Sequence, residues 1–268
     1  MVAKRKCVVV FDSGIGGLNL LYECALRVRD VDYYYVSDSD NMPYGNKSRD
    51  EILRLTLNAL KVVDELNPIA LVLACNTVTA NCVRSLRARY SFPVIGVQPA
   101  IKSVIGVSDN CLILATNATV NSPEFKRLLN IYNASCACAK GCDGLAKYVE
   151  ENIFNLPERL PEGLLPDVKA DCVVLGCTHY AFVKRQIAAK YKCSVIDGIG
   201  GTADHFAKII GTVDHQTPLL GKNSHFRNKS VKLTFLGGNF EKNSQIFKNY
   251  YINKCLKMSN NYIKFKIF

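Results

Sequence analysis

Apolar runs of four to seven residues alternate with amphipathic stretches of ten to fifteen along most of the chain. Val8–Phe11, Tyr33–Val36, Ala70–Ala74 and Val94–Val97 are short, apolar and mostly rich in β-branched or aromatic residues, which predicts strands. Between them, Gly17–Val28, Lys47–Leu66 and Thr77–Arg89 carry apolar residues at helical spacing. Strand and helix in alternation predict βαβ units and an α/β fold, its parallel sheet covered on both faces. The second half repeats the scheme. Strands are predicted at Leu112–Ala115, Cys172–Leu175 and Val195–Ile196, and helices at Ser122–Tyr132, Gly144–Asn152 and Ala181–Lys190. The longest apolar runs, Ile69–Cys75 and Cys172–Cys177, fall far short of the ~20 residues that span a bilayer, so no membrane protein is predicted. The start, Met-Val-Ala-Lys-Arg-Lys, leads straight into the first strand without the pattern of a secretory signal, which predicts a cytoplasmic protein.

The two halves also correspond residue by residue. Ile69–Gly96 and Ala170–Gly198 each hold a buried strand, a Cys, a Thr, a basic amphipathic helix and a short second strand. Any two βα units share the apolar strand; a Cys and a Thr at equivalent strand-to-helix turns are a stronger sign of two similar domains. Open parallel sheets bind ligands beyond the carboxyl ends of their strands. The loops at those ends carry Asp12-Ser13, Pro43-Tyr44-Gly45, Cys75-Asn76-Thr77, Thr116–Thr119 and Cys177-Thr178-His179.

Composition narrows the class. With 268 residues, 49% hydrophobic and 21% charged, the chain can bury one large core or two small ones and is not disordered. Its net charge of +11 raises the question of nucleic acid, but the charge is uneven. Residues 1–221 carry 24 Lys/Arg against 22 Asp/Glu, and residues 222–268 carry 10 against 1. The basicity belongs to the tail, which reads as a solvated terminus or a helix with a charged face, and no nucleic-acid partner is expected. Twelve cysteines in a chain this long read as reduced thiols, most of them small buried apolar residues. Cys136, Cys138 and Cys142 form a C-x-C-x3-C cluster without a neighbouring His or a second C-x2-C pair, so no metal site is expected.

Cys75 and Cys177 differ from the other ten because each sits where a strand gives way to a helix. Backbone N–H groups at a helix start favour a thiolate. A thiolate can be a nucleophile, a metal ligand or a base. Two equivalent cysteines on opposite domains suit proton abstraction from one face of a small molecule and delivery to the other, which is racemisation or epimerisation. Asp12 is placed to assist Cys75, and His179, two residues after Cys177, to assist its partner. Ser13, Asn76, Thr77 and Thr178 can donate to an amino acid's carboxylates, and Asp12 can accept from its ammonium. Gly14, Gly16 and Gly17 allow a tight turn after the first strand. Neither a dinucleotide fingerprint nor a P-loop is present, so no nucleotide is expected.

At these residues the chain resembles the glutamate racemases, which are cofactor-independent. The matching segments are FDSGIGGL (Phe11–Leu18), PYGNKS (Pro43–Ser48), ACNTVTA (Ala74–Ala80), ATVNS (Ala118–Ser122) and LGCTHY (Leu175–Tyr180), in family order. The resemblance implies two pseudo-symmetric flavodoxin-like domains with the active site in the cleft between them. The first would cover residues 1–97, joined by the C-terminal segment 210–268, and the second residues 98–209. It implies Cys75 and Cys177 as the acid/base pair, substrate held by Asp12, Ser13, Tyr44, Gly45, Asn76, Thr77, Thr119, Thr178 and His179, no cofactor, and a homodimer. The family's role is to supply D-glutamate for peptidoglycan. Departures from the family pattern are Gln98 in GVQPA, the absence of an arginine before Pro43, and FLGGNF at Phe235–Phe240. Two alternatives stay open: an aspartate, hydantoin or other amino-acid racemase of the same superfamily, and a thiol redox or metal-binding module.

Overall fold

A computed structural model describes residues 6–29, 31–104, 110–134, 137–142, 144–213, 231–252 and 265–267. Two parallel sheets form its centre. The first contains β1 (Cys7–Asp12), β2 (Asp32–Ser37), β3 (Ala70–Leu73) and β4 (Val94–Gly96). Their helices are α1 (Leu18–Arg27), α2 (Arg49–Ala59), α3 (Lys61–Leu66) and α4 (Asn76–Arg89). The second sheet contains β5 (Cys111–Ala115), β6 (Ala137–Gly141), β7 (Cys172–Gly176) and β8 (Ser194–Asp197). Alongside run α5 (Asn117–Val120), α6 (Pro123–Ile131), α7 (Leu145–Asn152) and α8 (Lys184–Tyr191). After α9 (Ile199–Val213), the chain adds β9 (Val231–Gly237), α10 (Phe240–Phe247), a π-helical turn at Lys248–Ile252 and β10 (Phe265–Ile267).

The strand orders are β10-β9-β2-β1-β3-β4 and β6-β5-β7-β8. Among the described residues every strand pairing is parallel. In each sheet the first strand lies between the second and the third, so the order in which strands are added reverses at β1/β3 and at β5/β7. A doubly wound sheet opens a crevice at such a reversal, beyond the carboxyl ends of the strands.

Alternation explains why the strands are apolar throughout. Val8 and Val10 face one cluster with Tyr33, Tyr35 and Val72, while Val9 and Phe11 face the other with Leu71 and Leu73. The first of these clusters continues into Leu112, Leu114, Val173 and Leu175 of the second sheet, so one apolar layer joins the halves. Burial at ~25 cal/mol per Å2 makes this shared layer the main force keeping the cleft walls together.

Some elements differ from the sequence reading. The pattern over Lys47–Leu66 is two helices, interrupted at the buried Leu60. The expected helix at Ala181–Lys190 is a 3-10 turn over Thr178–Val183 followed by α8. Cys138 lies exposed on β6 and Cys142 is buried after it; Cys136 lies outside the described residues. The tail does not read as solvated where it is described. Asn243, Ile246 and Phe247 of α10 are buried, and Phe247 packs on Tyr22, Phe235 and Tyr251 with ring centroids 6.3, 6.0 and 5.1 Å away. Aromatic residues spaced through the Lys- and Asn-rich stretch supply the buried face. His215, His225 and residues 253–264 of the tail lie outside the described residues.

Candidate active site

The loops that follow β1, β3, β5 and β7 lie at the two reversals of strand order, and the sequence-predicted residues arrive with them. Cys75 follows β3 in extended backbone and is the N-cap of α4. Its sulfur lies 3.4 Å from Ser13 Oγ, after β1, and faces the Val78 amide of α4's first turn. Asn76 and Thr77 open α4 and are buried. Cys177 holds the matching place after β7, with its sulfur 4.0 Å from His179 Nδ1. Cys75 and Cys177 are 5% and 8% exposed, so both are buried. They are near enough that negative charge on Cys177 is one of the influences raising the pKa of Cys75.

Hydrogen bonds stitch the two walls at both ends of the cleft. Thr178 Oγ1 donates to Asp12 Oδ2 at 3.1 Å, and Asp12 Oδ1 accepts from the Gly14 N–H at 2.8 Å. At the other end the hydroxyls of Thr77 and Thr116 lie 2.9 Å apart, and that of Thr116 lies 2.9 Å from Thr119. Gly45 packs where a Cβ would sit 2.8 Å from Thr116 Cβ, so the wall closes there only over a glycine. Gly16 is tighter still: a Cβ would lie 2.5 Å from Thr178 Oγ1 and 2.8 Å from the His179 backbone nitrogen. Tyr44 is packed in the same first-sheet cluster as Cys75, with its hydroxyl donating to Asp38 Oδ2 at 2.5 Å.

The sequence reading passed over three residues: Glu150, Thr116 as a bridging side chain, and Asp38. Glu150 is buried on α7, where its Oε2 accepts from the Ile15 N–H and lies 2.9 Å from His179 Nε2. No motif announces it; a lone Glu on an amphipathic helix looks like a solvated residue until the fold brings β1's loop against it.

Charge is distributed unequally between the sulfurs. Burial pushes the Cys75 thiol up to about 12, and the neighbouring Asp12 charge adds to the effect, so it is a neutral thiol near pH 7. Burial alone would discharge His179, but its contacts with Cys177 and Glu150 outweigh that and hold the imidazole pKa well above the ordinary range. Burial likewise opposes the Glu150 carboxylate, and His179 outweighs it, leaving the pKa below normal. Asp12 is pushed up by burial, with the His179 charge pulling back. Cys75 therefore faces an acidic neighbour, and Cys177 an imidazolium.

Such a site, two sulfurs at matching turns of two matching sheets, can move a proton across a small molecule. The profile of the Asp/Glu/hydantoin racemases matches residues 21–205. A glutamate racemase of Clostridium acetobutylicum is 38% identical over 213 residues, covering 75% of this chain and 83% of that one. The chain belongs to the Asp/Glu/hydantoin racemase family. Another member, the glutamate racemase of Campylobacter concisus, is 36% identical over 215 residues, covering 75% of this chain and 82% of its own. Among solved structures, the racemase fold recurs in glutamate racemase from Campylobacter jejuni, with a TM-score of 0.71 and 25% identity over 91% of this chain and 97% of that one. A Bacillus anthracis glutamate racemase has the same fold, with a TM-score of 0.72 at 23% identity over 97% of each chain. The two parallel-sheet α/β halves expected from the sequence are therefore those of the family. Among the described residues no helix is long and apolar enough to cross a membrane.

Proposed function

We infer that this chain is a glutamate racemase, interconverting L- and D-glutamate with Cys75 and Cys177 as the two acid/base groups. The observation that carries the reading is the equivalence of those cysteines: each follows the third strand of its sheet, and residues beside each of them hydrogen-bond to the opposite half, Thr178 to Asp12 and Thr77 to Thr116. The family membership and the names of the relatives supply the substrate class.

The chemistry follows from the two environments. A glutamate α-carbon held between the sulfurs presents its hydrogen to one of them. The thiolate on that side takes the proton, leaving an electron pair on a flattened α-carbon, and the thiol opposite donates its own proton to the other face. One turnover thus exchanges the two protonation states, and turnover of the product enantiomer restores them. The imidazolium of His179 supports negative charge at Cys177, and Cys75 starts as the acid; the opposite assignment serves the opposite enantiomer. The carbanion's charge spreads into the α-carboxylate, so donors aimed there lower the barrier as an oxyanion hole does. Ser13, Asn76, Thr77 and Thr178 are the groups we assign to the carboxylates, with the α4 amides. Asp12 has acceptor capacity left for the ammonium beyond its bonds to Gly14 and Thr178. Thr119, Gly45 and Tyr44 form the wall around the side chain, and His179 completes the set.

We extend the reading to a cytoplasmic homodimer that supplies D-glutamate for cell-wall synthesis. The test is direct. Purified protein given L-glutamate in buffer without added cofactor should bring its optical rotation to zero, and given other amino acids should leave them unchanged. Rotation falling fastest for aspartate would replace glutamate as the substrate; no change with any amino acid would refute the function.

A further inference from the structure

The described part of the C-terminal segment makes contacts near the site that the mechanism above leaves unused. After β9, which belongs to the first sheet, α10 reaches α7 of the second half through the side chain of Lys242. There Lys242 Nζ donates to the Glu150 carbonyl oxygen at 2.6 Å and lies 3.7 Å from Glu150 Oε1. The same segment makes two further contacts. Tyr250 donates to the Ile153 carbonyl at 2.8 Å, and Tyr251 to Asn19 Oδ1 at 2.7 Å. The Asn19 amide in turn donates to the Gly16 carbonyl at 3.1 Å, beside the turn that a Gly16 Cβ would break.

We propose that Lys242 is a positioning residue for the proton transfer, holding Glu150 and, through it, the His179 ring beside Cys177. The inference rests on the racemase reading, because His179 matters only if Cys177 transfers a proton.

Glu150 is well suited to be such a relay. One of its oxygens is shared between the Ile15 N–H and His179 Nε2, so the other is free to meet a cation. The glutamate side chain is 8% exposed and Lys242's 20%, so the pair interacts where water screens it weakly. A neutral donor could satisfy the carbonyl alone; an ammonium also fixes the carboxylate's charge and its direction. The charged and titratable groups that face Glu150 are His179 from the turn after β7, Asp12 from the end of β1, Tyr35 from β2 and Lys242 from α10. On its own helix, Lys147 and Glu151 pair with each other 3.7 Å apart at the exposed surface. Among the described residues around the carboxylate, His179 and Lys242 are the cations, and of these two Lys242 lies outside the reacting site. Because α10 is anchored by the buried Ile246 and Phe247, Lys242 is held from a rigid base and not from a loose end.

The test compares full-length Lys242→Met and Lys242→Arg with the unaltered protein. Two measurements are made: racemisation kinetics over pH, and unfolding stability over pH, which needs no turnover. A misplacement of order 1 Å at a proton-transfer site costs up to about a hundredfold, so Lys242→Met should lower kcat about tenfold and change KM less than about twofold. The acid limb of both profiles, where Glu150 becomes protonated, should move to higher pH in Lys242→Met. Lys242→Arg, which keeps the charge, should restore both rate and limb. Unaltered kcat and limb in Lys242→Met would overturn the proposal. So would equal losses in Met and Arg variants with the limb unmoved, the signature of a brace that does no more than pack. If the unaltered protein fails to racemise any amino acid, the function is refuted, and the stability limb alone decides whether Lys242 governs Glu150.

Discussion

Replacing Glu150 by glutamine tests the buried charge pair at the heart of the site, and its effect can be worked from the geometry. The substitution keeps the shape and leaves an acceptor for the Ile15 N–H at 2.9 Å, but it removes the negative charge opposite His179 Nε2. In the native protein Glu150's pKa is lowered, so its stabilisation is complete above the unfolded value of about 4.3 and is lost as pH falls through the folded value. That of His179 is raised, so its stabilisation is complete below about 6.5 and is lost as pH rises through the folded value. The pair therefore holds through the mildly acidic range, and these two groups give a flat stability profile there. In Glu150→Gln, His179 keeps Cys177 but loses Glu150 while burial still opposes its charge; we take the imidazole to be neutral in the fold, whereas it still gains a proton in the unfolded chain. Each pH unit below about 6.5 then costs the variant ~1.4 kcal/mol. Urea unfolding of both proteins between pH 8 and pH 5.5 measures this directly. The stability gap should be smallest at pH 8 and should widen by about 1.4 kcal/mol from pH 6.5 to 5.5. Parallel curves, or a gap that narrows toward acid, would refute the charge assignment. The other described histidine, His205, is exposed on α9 and is common to both proteins.

Three further outcomes are expected. Cys75→Ser and Cys177→Ser should each cost at least about a hundredfold in racemisation, since a hydroxyl is a far weaker acid than a thiol, and rates near the unaltered value would end the two-thiol mechanism. Gly16→Ala should leave a folded protein by circular dichroism with racemisation reduced about tenfold or more, because its Cβ would meet the His179 backbone nitrogen at 2.8 Å and the loop must move; full activity would show the turn is slack. Phe247→Ala, at a fully buried ring, should lower unfolding stability by about 3–5 kcal/mol, whereas a change below about 1 kcal/mol would mean the tail does not contribute to the core.

The elements legible in the sequence are those whose buried strands carry the signal themselves. β1, β3, β5 and β7 are apolar on both faces and stand out, and the residues at their ends follow from the rule for open sheets. What escaped notice depends on partners distant in the chain. β6 reads Ala-Cys-Ala-Lys-Gly, without β-branched residues, and exists as a strand only by pairing with β5 at the sheet edge. Helix α9 opens with Gly200-Gly201, which blunts its local signal, and is held by tertiary contacts such as Arg27 to Asp204 at 2.7 Å and Tyr33 to Phe206 with ring centroids 6.4 Å apart. Glu150 and Lys242 were invisible for the same reason: a surface-like charge acquires meaning only when another element buries it. The 3-10 turn after Cys177, where a helix start was expected, leaves the two thiols with unequal surroundings despite their equivalent positions.

The claim that two separate groups transfer the proton is tested most directly by the position of the isotope. L-Glutamate carrying ordinary hydrogen at the α-carbon is incubated with the protein in D2O, and both enantiomers are analysed by mass spectrometry at a few per cent conversion. With one sulfur on each face, the abstracted proton cannot return on the opposite side. The first D-glutamate formed should therefore carry one α-deuterium, while the remaining L-glutamate keeps its hydrogen. D-Glutamate that retains the original hydrogen would mean a single base serving both faces, and the two-thiol account would fail.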